Sequence, residues 1–234
     1  MLTGLLSMVV PWGVVPEASS ASGLGPSPVL AQGEPSAIDD LAARCRARIK
    51  ASDWQGAVQA CSLAIEKTPT LTTLWIDRCQ AHLELAKVSA ALADCQQAIK
   101  LDPDNSEAYL RLADVKAASV PVDYRSVLDD YAKAIRLDPK NAAAYNNRGV
   151  TRNSLKDYRG ALADYNKAIE LDSGDALYSF NRGETLFLLG QRDLACSSFR
   201  QGQALKPDFK LISPDFDATY LKACSQIKEP VQAP

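Results

Sequence analysis

From residue 38 to residue 209, apolar and small residues recur at three- and four-residue spacing, with charged and amide side chains between them. That periodicity predicts amphipathic helices, each with one stripe to bury. The helices come in pairs, and the pairs repeat. "AIEKTP" ends at Pro69, "AIKLDP" at Pro103, "AIRLDP" at Pro139, "AIELDS" at Ser173 and "ALKP" at Pro207, giving intervals of 34, 36, 34 and 34 residues. Five blocks follow: 38–71, 72–105, 106–141, 142–175 and 176–209. The third carries two extra residues around "ASVPV" at 118–122, where a local irregularity is expected.

The blocks align in columns. Ala57, Ala91, Val127, Ala161 and Ala195 share one, and Ala64, Ala98, Ala134, Ala168 and Gly202 share another seven residues on. Small residues two turns apart on one face let a neighbouring helix approach closely. Asp53, Asp123 and Asp157 stand where the second helix of their blocks should open, as an N-terminal acid does. The Asp-Pro ends close that helix, because proline cannot continue it. A single pair cannot bury its own stripe, so the pairs must stack.

"AYNNRGVTRNSLKDYRGALADYNKAIELD", residues 144–172, resembles the tetratricopeptide repeat, through Tyr145, Gly149, Tyr158, Ala161, Tyr165 and Ala168. The resemblance extends over 38–209 and implies an all-α fold, a right-handed α-solenoid of five helix hairpins. "SPDFDATYLKACSQI" at 213–227 is expected to cap the last hairpin, within a capping segment at 210–227. Ser213 would be its N-cap, and Phe216, Tyr220, Leu221 and Ile227 would face inward. Residues 228–234 read as a flexible tail.

Residues 1–37 differ in character. "LTGLLSMVVPWGVV" is apolar, and a Ser/Gly/Pro-rich stretch leads to small residues at Val29 and Ala31. This reads as a secretory signal with cleavage after Ala31, although no Lys or Arg precedes Arg44; a disordered leader is the alternative. The run is short of the roughly 20 apolar residues that span a bilayer, so no stable membrane span is expected in the mature form.

Six cysteines sharpen the compartment. Cys45 and Cys79 share a column with Ala113, Gly149 and Gly183, while Cys61 and Cys95 share one with Tyr131, Tyr165 and Phe199. Later blocks pair a small residue on the first helix with an aromatic on the second; the first two put cysteine at both places. Each cysteine lies eight residues from the turn near Asp53 or Lys87, so an antiparallel hairpin sets the pair level. The readings are bridges Cys45–Cys61 and Cys79–Cys95, or buried free thiols. Cys196 and Cys224 make a third pair if the capping helix stacks like a sixth first helix. Bridges and leader together would place the protein in the periplasm, or in the thylakoid lumen of a photosynthetic bacterium, whose members the repeat style resembles. Without a working signal it would be cytoplasmic.

Charges are mixed and the formal net charge is −2, so no nucleic-acid surface is expected. His82 is the only histidine and stands among apolar neighbours, so a structural role is expected. There is no CxxC, HExxH, GxGxxG or GxxxxGK[ST]. No catalytic residue, metal site or cofactor is expected, and the chain does not read as an enzyme.

Function is then a matter of surface. The resemblance implies that first helices line a concave face holding a peptide or a partner's helix. The candidates are Asp77, Arg111, Asn146, Asn147, Phe180, Asn181 and Glu184, with Leu177, Phe187 and Leu188 as an apolar end. Asn147 and Asn181 resemble the start of a peptide-gripping asparagine ladder, or else tie neighbouring helices together. Asp77 and Glu107 would repel a terminal carboxylate, which argues against the carboxylate grip of some co-chaperones in the family. The column Arg44, Arg78, Arg148 and Arg182 is expected to be structural. The leading reading is an adaptor for a protein or peptide partner, in assembly of an envelope or membrane complex. The alternative is a self-associating solenoid, dimeric through its groove.

Overall fold

The computed structural model describes residues 37–206 together with Cys224. The helices are α1 (Ala37–Lys50), α2 (Trp54–Lys67), α3 (Thr72–Glu84), α4 (Val88–Leu101), α5 (Ser106–Ala117), α6 (Tyr124–Leu137), α7 (Ala142–Ser154), α8 (Tyr158–Leu171), α9 (Ala176–Leu188) and α10 (Arg192–Leu205). No strand occurs among the described residues. The chain forms two compact units that divide between Pro103 and Asp104. The first holds the hairpins α1–α2 and α3–α4, the second α5–α6, α7–α8 and α9–α10. Within each unit, every hairpin packs on the next through its first helix. The leader expected at 1–37 and the capping segment at 210–227 lie outside the described residues, apart from Ala37 and Cys224.

Local chemistry explains where the helices begin and end. The carboxylates of Asp53, Asp123 and Asp157 accept from the backbone N–H groups of Gly56, Ser126 and Gly160 at 2.9, 3.2 and 3.0 Å. Asn105 and Asn141 do the same for Ala108 and Ala144, opening α5 and α7. Each cap satisfies one N–H that the helix cannot bond itself. At the other end, the N–H of Asp102, Asp138 and Asp172 returns to the carbonyl of Ala98, Ala134 and Ala168.

The turn inside a hairpin also repeats. Ser52, Ala86, Lys156 and Gly190 occupy one column and all take positive φ, between 54° and 75°. Only the last is glycine, so the other three hold a left-handed conformation that costs an L-residue about 1 kcal/mol. The third hairpin turns differently. There α5 is only 12 residues long, and the connection runs through a cis Val120–Pro121 peptide.

The core is built from the small-against-large pairing of columns. A Cβ on Gly149 would lie 2.7 Å from Tyr165, and one on Gly183 would lie 2.6 Å from Phe199. Those two glycines are therefore required by helix approach rather than by backbone freedom. Ala113 and Tyr131 fill the same places in the third hairpin and join one buried cluster with Leu110, Val127, Ala134, Ile135 and Ala144.

Candidate protein-binding face

In the second unit the first helices lie side by side, α7 against both α5 and α9. Residues spaced by three and four share one helix face. On α5 that stripe is Glu107, Arg111, Asp114; on α7 it is Ala143, Asn147, Val150, Ser154; on α9 it is Leu177, Asn181, Glu184, Leu188. Its centre is a run of hydrogen bonds from one helix to the next. Asn147 Nδ2 donates to Asp114 Oδ1 at 3.0 Å, and Asn146 Nδ2 to Asn147 Oδ1 at 3.1 Å. Asn181 Nδ2 donates to Asn146 Oδ1 at 2.8 Å. The Tyr131 hydroxyl, rising from α6, also donates to Asp114 Oδ1 at 2.7 Å.

Asp114 is only 3 % exposed. Burial pushes its carboxyl above the ordinary 3.8, against the opposing pull of Arg111, Tyr131 and Asn147. Arg111 stands 3.5 Å from Asp114 Oδ2 and 2.8 Å from Glu107 Oε1, so its cation is matched within α5. The Tyr131 phenol is raised in turn, by burial first and then by the charge of Asp114.

Glu184 holds on α9 the column position that Asp114 holds on α5. Its surroundings differ. The second helix of its hairpin offers Phe199 where the third hairpin has Tyr131, so there is no phenol to donate. The Tyr165 phenol of α8 is buried, which raises its pKa, and Thr185 donates to Asn153 and to the Asn181 carbonyl. Glu184 is half-buried, burial alone raises its carboxyl, and no cation or donor among the described residues reaches it. The run from α5 thus ends on α9 at Asn181, whose Nδ2 donates to Asn146, and leaves Asn181 Oδ1 and the Glu184 carboxylate beyond it.

Several expected binding residues lie elsewhere. Asn146 and Phe180 are 2 % and 3 % exposed, so neither lines an open face. Phe180 stacks at a tilt on Phe199, ring centroids 6.4 Å apart, and its ring closes on Gly202. Both belong to the column Ala42, Ile76, Leu110, Asn146, Phe180, every member of which is buried. Asp77 belongs to the first unit, on α3, and stands 3.8 Å from Arg46. Asn147 and Asn181 spend their amide N–H groups on neighbouring helices.

The arginine column serves the interior of the second and fourth hairpins, whereas the exposed Arg44 of the first pairs with Asp40 on its own helix. Arg78 grips Asp94 through Nε and Nη2 at 2.9 and 2.7 Å, and Arg148 grips Asp164 with the same two distances. One turn further along the first helix a second basic side chain reaches the same acid: His82 at 2.9 Å from Asp94, and Arg152 at 2.8 Å from Asp164. In the third hairpin Leu112 takes the arginine's place, and Lys116 alone pairs with Asp130. The fifth has lost the acid. Arg182 there donates to three neutral oxygens, of Ser198, Asn166 and Gln201, at 3.0, 3.2 and 3.0 Å, and burial lowers its pKa.

The sulfurs of Cys45 and Cys61 are at bonding distance with Cα atoms 4.9 Å apart, as are those of Cys79 and Cys95 at 5.6 Å. Cys196 and Cys224 pair likewise at 5.4 Å, tying Cys224 into the core of Phe180, Leu186 and Phe199. No cysteine is free. Among the described residues no cluster of three His, Cys, Asp or Glu side chains could hold a metal, and no helix is long and apolar enough to cross a membrane.

Two family profiles described as "Tetratricopeptide repeat" match this chain, over residues 142–175 and 76–118. A "Protein SGT1 homolog" from Oryza sativa subsp. japonica is 39% identical over 75 residues, which is 32% of this chain and 20% of that protein. The chain thus spans about a fifth of that relative's length. Among solved structures, PilW, described as a widely conserved type IV pilus biogenesis factor, superposes with a TM-score of 0.69 at 16% identity. The match covers 81% of this chain and 87% of PilW. YrrB, described as a TPR protein with an unusual peptide-binding site, gives 0.57 at 24% identity, over 72% of this chain and 81% of that one. At such identities the likeness concerns the fold, which is the all-α solenoid class of these structures.

Proposed function

Starting from a chain that carries tetratricopeptide repeats, we propose that it is a protein-binding adaptor, and that the shared face of α5, α7 and α9 receives a segment of a partner protein. The observation that carries this reading is the open end of the hydrogen-bond run. On α5 the Asp114 carboxylate is attended by Tyr131, Asn147 and Arg111, although its Oδ2 accepts no hydrogen bond, and on α7 Asn147 bonds both Asp114 and Asn146. On α9 Asn181 Oδ1 and the half-buried Glu184 carboxylate have no such partner among the described residues. Leu188 on the same stripe is 52% exposed, and Leu177 and Val150 are half-buried. Apolar area beside unanswered acceptors is what a folded chain keeps for a ligand.

The adaptor works in an oxidising compartment in this reading. Three cysteine pairs at bonding distance and the apolar leader at residues 1–37 support it, since thiols are kept reduced in most cytosols. Assembly of an envelope or membrane complex is the process we assign to it. The fold likeness to a pilus biogenesis factor accords with that role.

Light scattering of the full chain separates this from self-association through the same face. An adaptor stays monomeric across a hundredfold range of concentration. A dimer that Val150→Arg dissociates would replace the adaptor reading with the self-associating one.

A further inference from the structure

We propose that Glu184 anchors a Lys or Arg side chain of the bound segment, seated between apolar residues that meet Leu177 and Leu188. The proposal rests on the reading of the α5–α7–α9 face as a binding surface and names the chemistry that this face selects.

Comparison within the chain supplies the argument. Where the column carries an acid on α5, three groups attend it: Tyr131, Asn147 and Arg111. On α7 the column carries Val150 and asks for nothing. On α9 it carries an acid again, with the tyrosine replaced by Phe199 and no cation within reach among the described residues. The Tyr165 phenol feels the Glu184 charge and is itself held neutral, by burial first. A half-buried carboxylate in that setting is stabilised most by a cation that brings its own donors.

The neighbours set the rest of the recognition. Leu177 lies seven residues before Glu184 and Leu188 four after it on the same stripe, so they flank it at about 10 and 6 Å along the helix axis. Across the face, the cation of Arg111 is already matched by Glu107 and Asp114, so it does not compete for a basic ligand. The segment that fits is one basic residue with an apolar residue on each side. A partner of this kind is drawn by the unpaired charge and held by the leucines.

The test screens the folded full chain, with cystines intact, against an array of random 12-residue peptides. Wild-type protein should enrich peptides with Lys or Arg between apolar residues. Glu184→Gln, which keeps shape and removes charge, should lower capture of those peptides roughly ten- to a hundredfold, the range of one charge-assisted hydrogen bond. Glu184→Lys should shift the enrichment toward Asp or Glu at the central position. Circular dichroism confirms that both variants fold. Capture that Val150→Arg abolishes but Glu184→Gln leaves unchanged would overturn the anchor while leaving the face intact. Capture indifferent to Val150→Arg, or none at all by the wild type, would overturn the face and the anchor together. A carbodiimide cross-link from Glu184 to a lysine of the same chain, in the protein alone, would also overturn the anchor, because its place would already be filled.

Discussion

Asp164 takes two arginines, and what happens when it is removed follows from burial. Its side chain is 4 % exposed, and Arg148 and Arg152 are 16% and 29% exposed. Asp164→Ala strands the Arg148 guanidinium and leaves Arg152 with only Asp157 and the Gly160 carbonyl, and urea titration should show a loss of about 3 kcal/mol. Asp114 makes a different prediction, in pH. Its folded pKa lies above 3.8 because burial penalises the charge, so the folded state holds that proton more tightly than the unfolded state does. Ionised Asp114 therefore costs stability above its folded pKa, and the cost vanishes as pH falls toward 3.8. Wild type should gain stability relative to Asp114→Asn as the pH is lowered from 7 toward 4, measured by chemical denaturation at each pH; the opposite slope would show that Asp114 is held ionised by Arg111. At this scale the sequence is only partly legible. The neighbouring positions 146 and 147 stand about 100° apart around a helix, enough to take Asn146 into the core and leave Asn147 half-buried. A usable signal was present, since Asn146 and Phe180 share their column with Ala42, Ile76 and Leu110, which are apolar. The meaning of Glu184 was not legible, because it depends on which donors surround it in space.

Each helix pair solves the same approach problem with its own chemistry. Hairpins of the second unit set a small residue against an aromatic, while those of the first set cysteine against cysteine over 16 residues. A cystine closing a loop of that size contributes about 3 kcal/mol in the chain-entropy account. Reduction should therefore loosen α1–α4, and also α10, where it opens the Cys196–Cys224 bridge, but not the hairpins without a cystine. Amide exchange in α1–α4 should accelerate about a hundredfold, with α5–α8 unchanged; uniform acceleration would contradict the assignment of these bridges to the first unit's stability. The fifth hairpin offers the complementary experiment. Arg182 lacks the acid that Arg78 and Arg148 have, and the equivalent position is Ser198, 1 % exposed. Ser198→Asp should stabilise the chain by about 1 kcal/mol in thermal unfolding; destabilisation would mean that this hairpin cannot open enough to admit the carboxylate. Caps and turns were readable as elements because Asp53, Asp123 and Asp157 recur in register. The αL turn at Ser52, Ala86 and Lys156 was not, since only the fifth hairpin puts there a glycine, Gly190, which has no Cβ to clash.

The all-helical repeat architecture was legible because five copies of one pattern average out the ambiguity of any single copy. A 34-residue period with small residues in fixed columns admits few folds other than stacked helix pairs. The partner is less legible, since the column proposed to select it differs from block to block, Asp114, Val150 and Glu184, and its first member is buried. In the proposed reading, what the molecule binds is carried by those differences. Photo-cross-linking tests this most directly. A benzophenone side chain is placed either at Leu188, at the end of the α9 stripe, or at the exposed Glu170 of α8, in full-length protein within its own cells. The account predicts a discrete adduct with another protein from position 188 and none from position 170. Adducts from both positions alike, or from position 170 only, would contradict it.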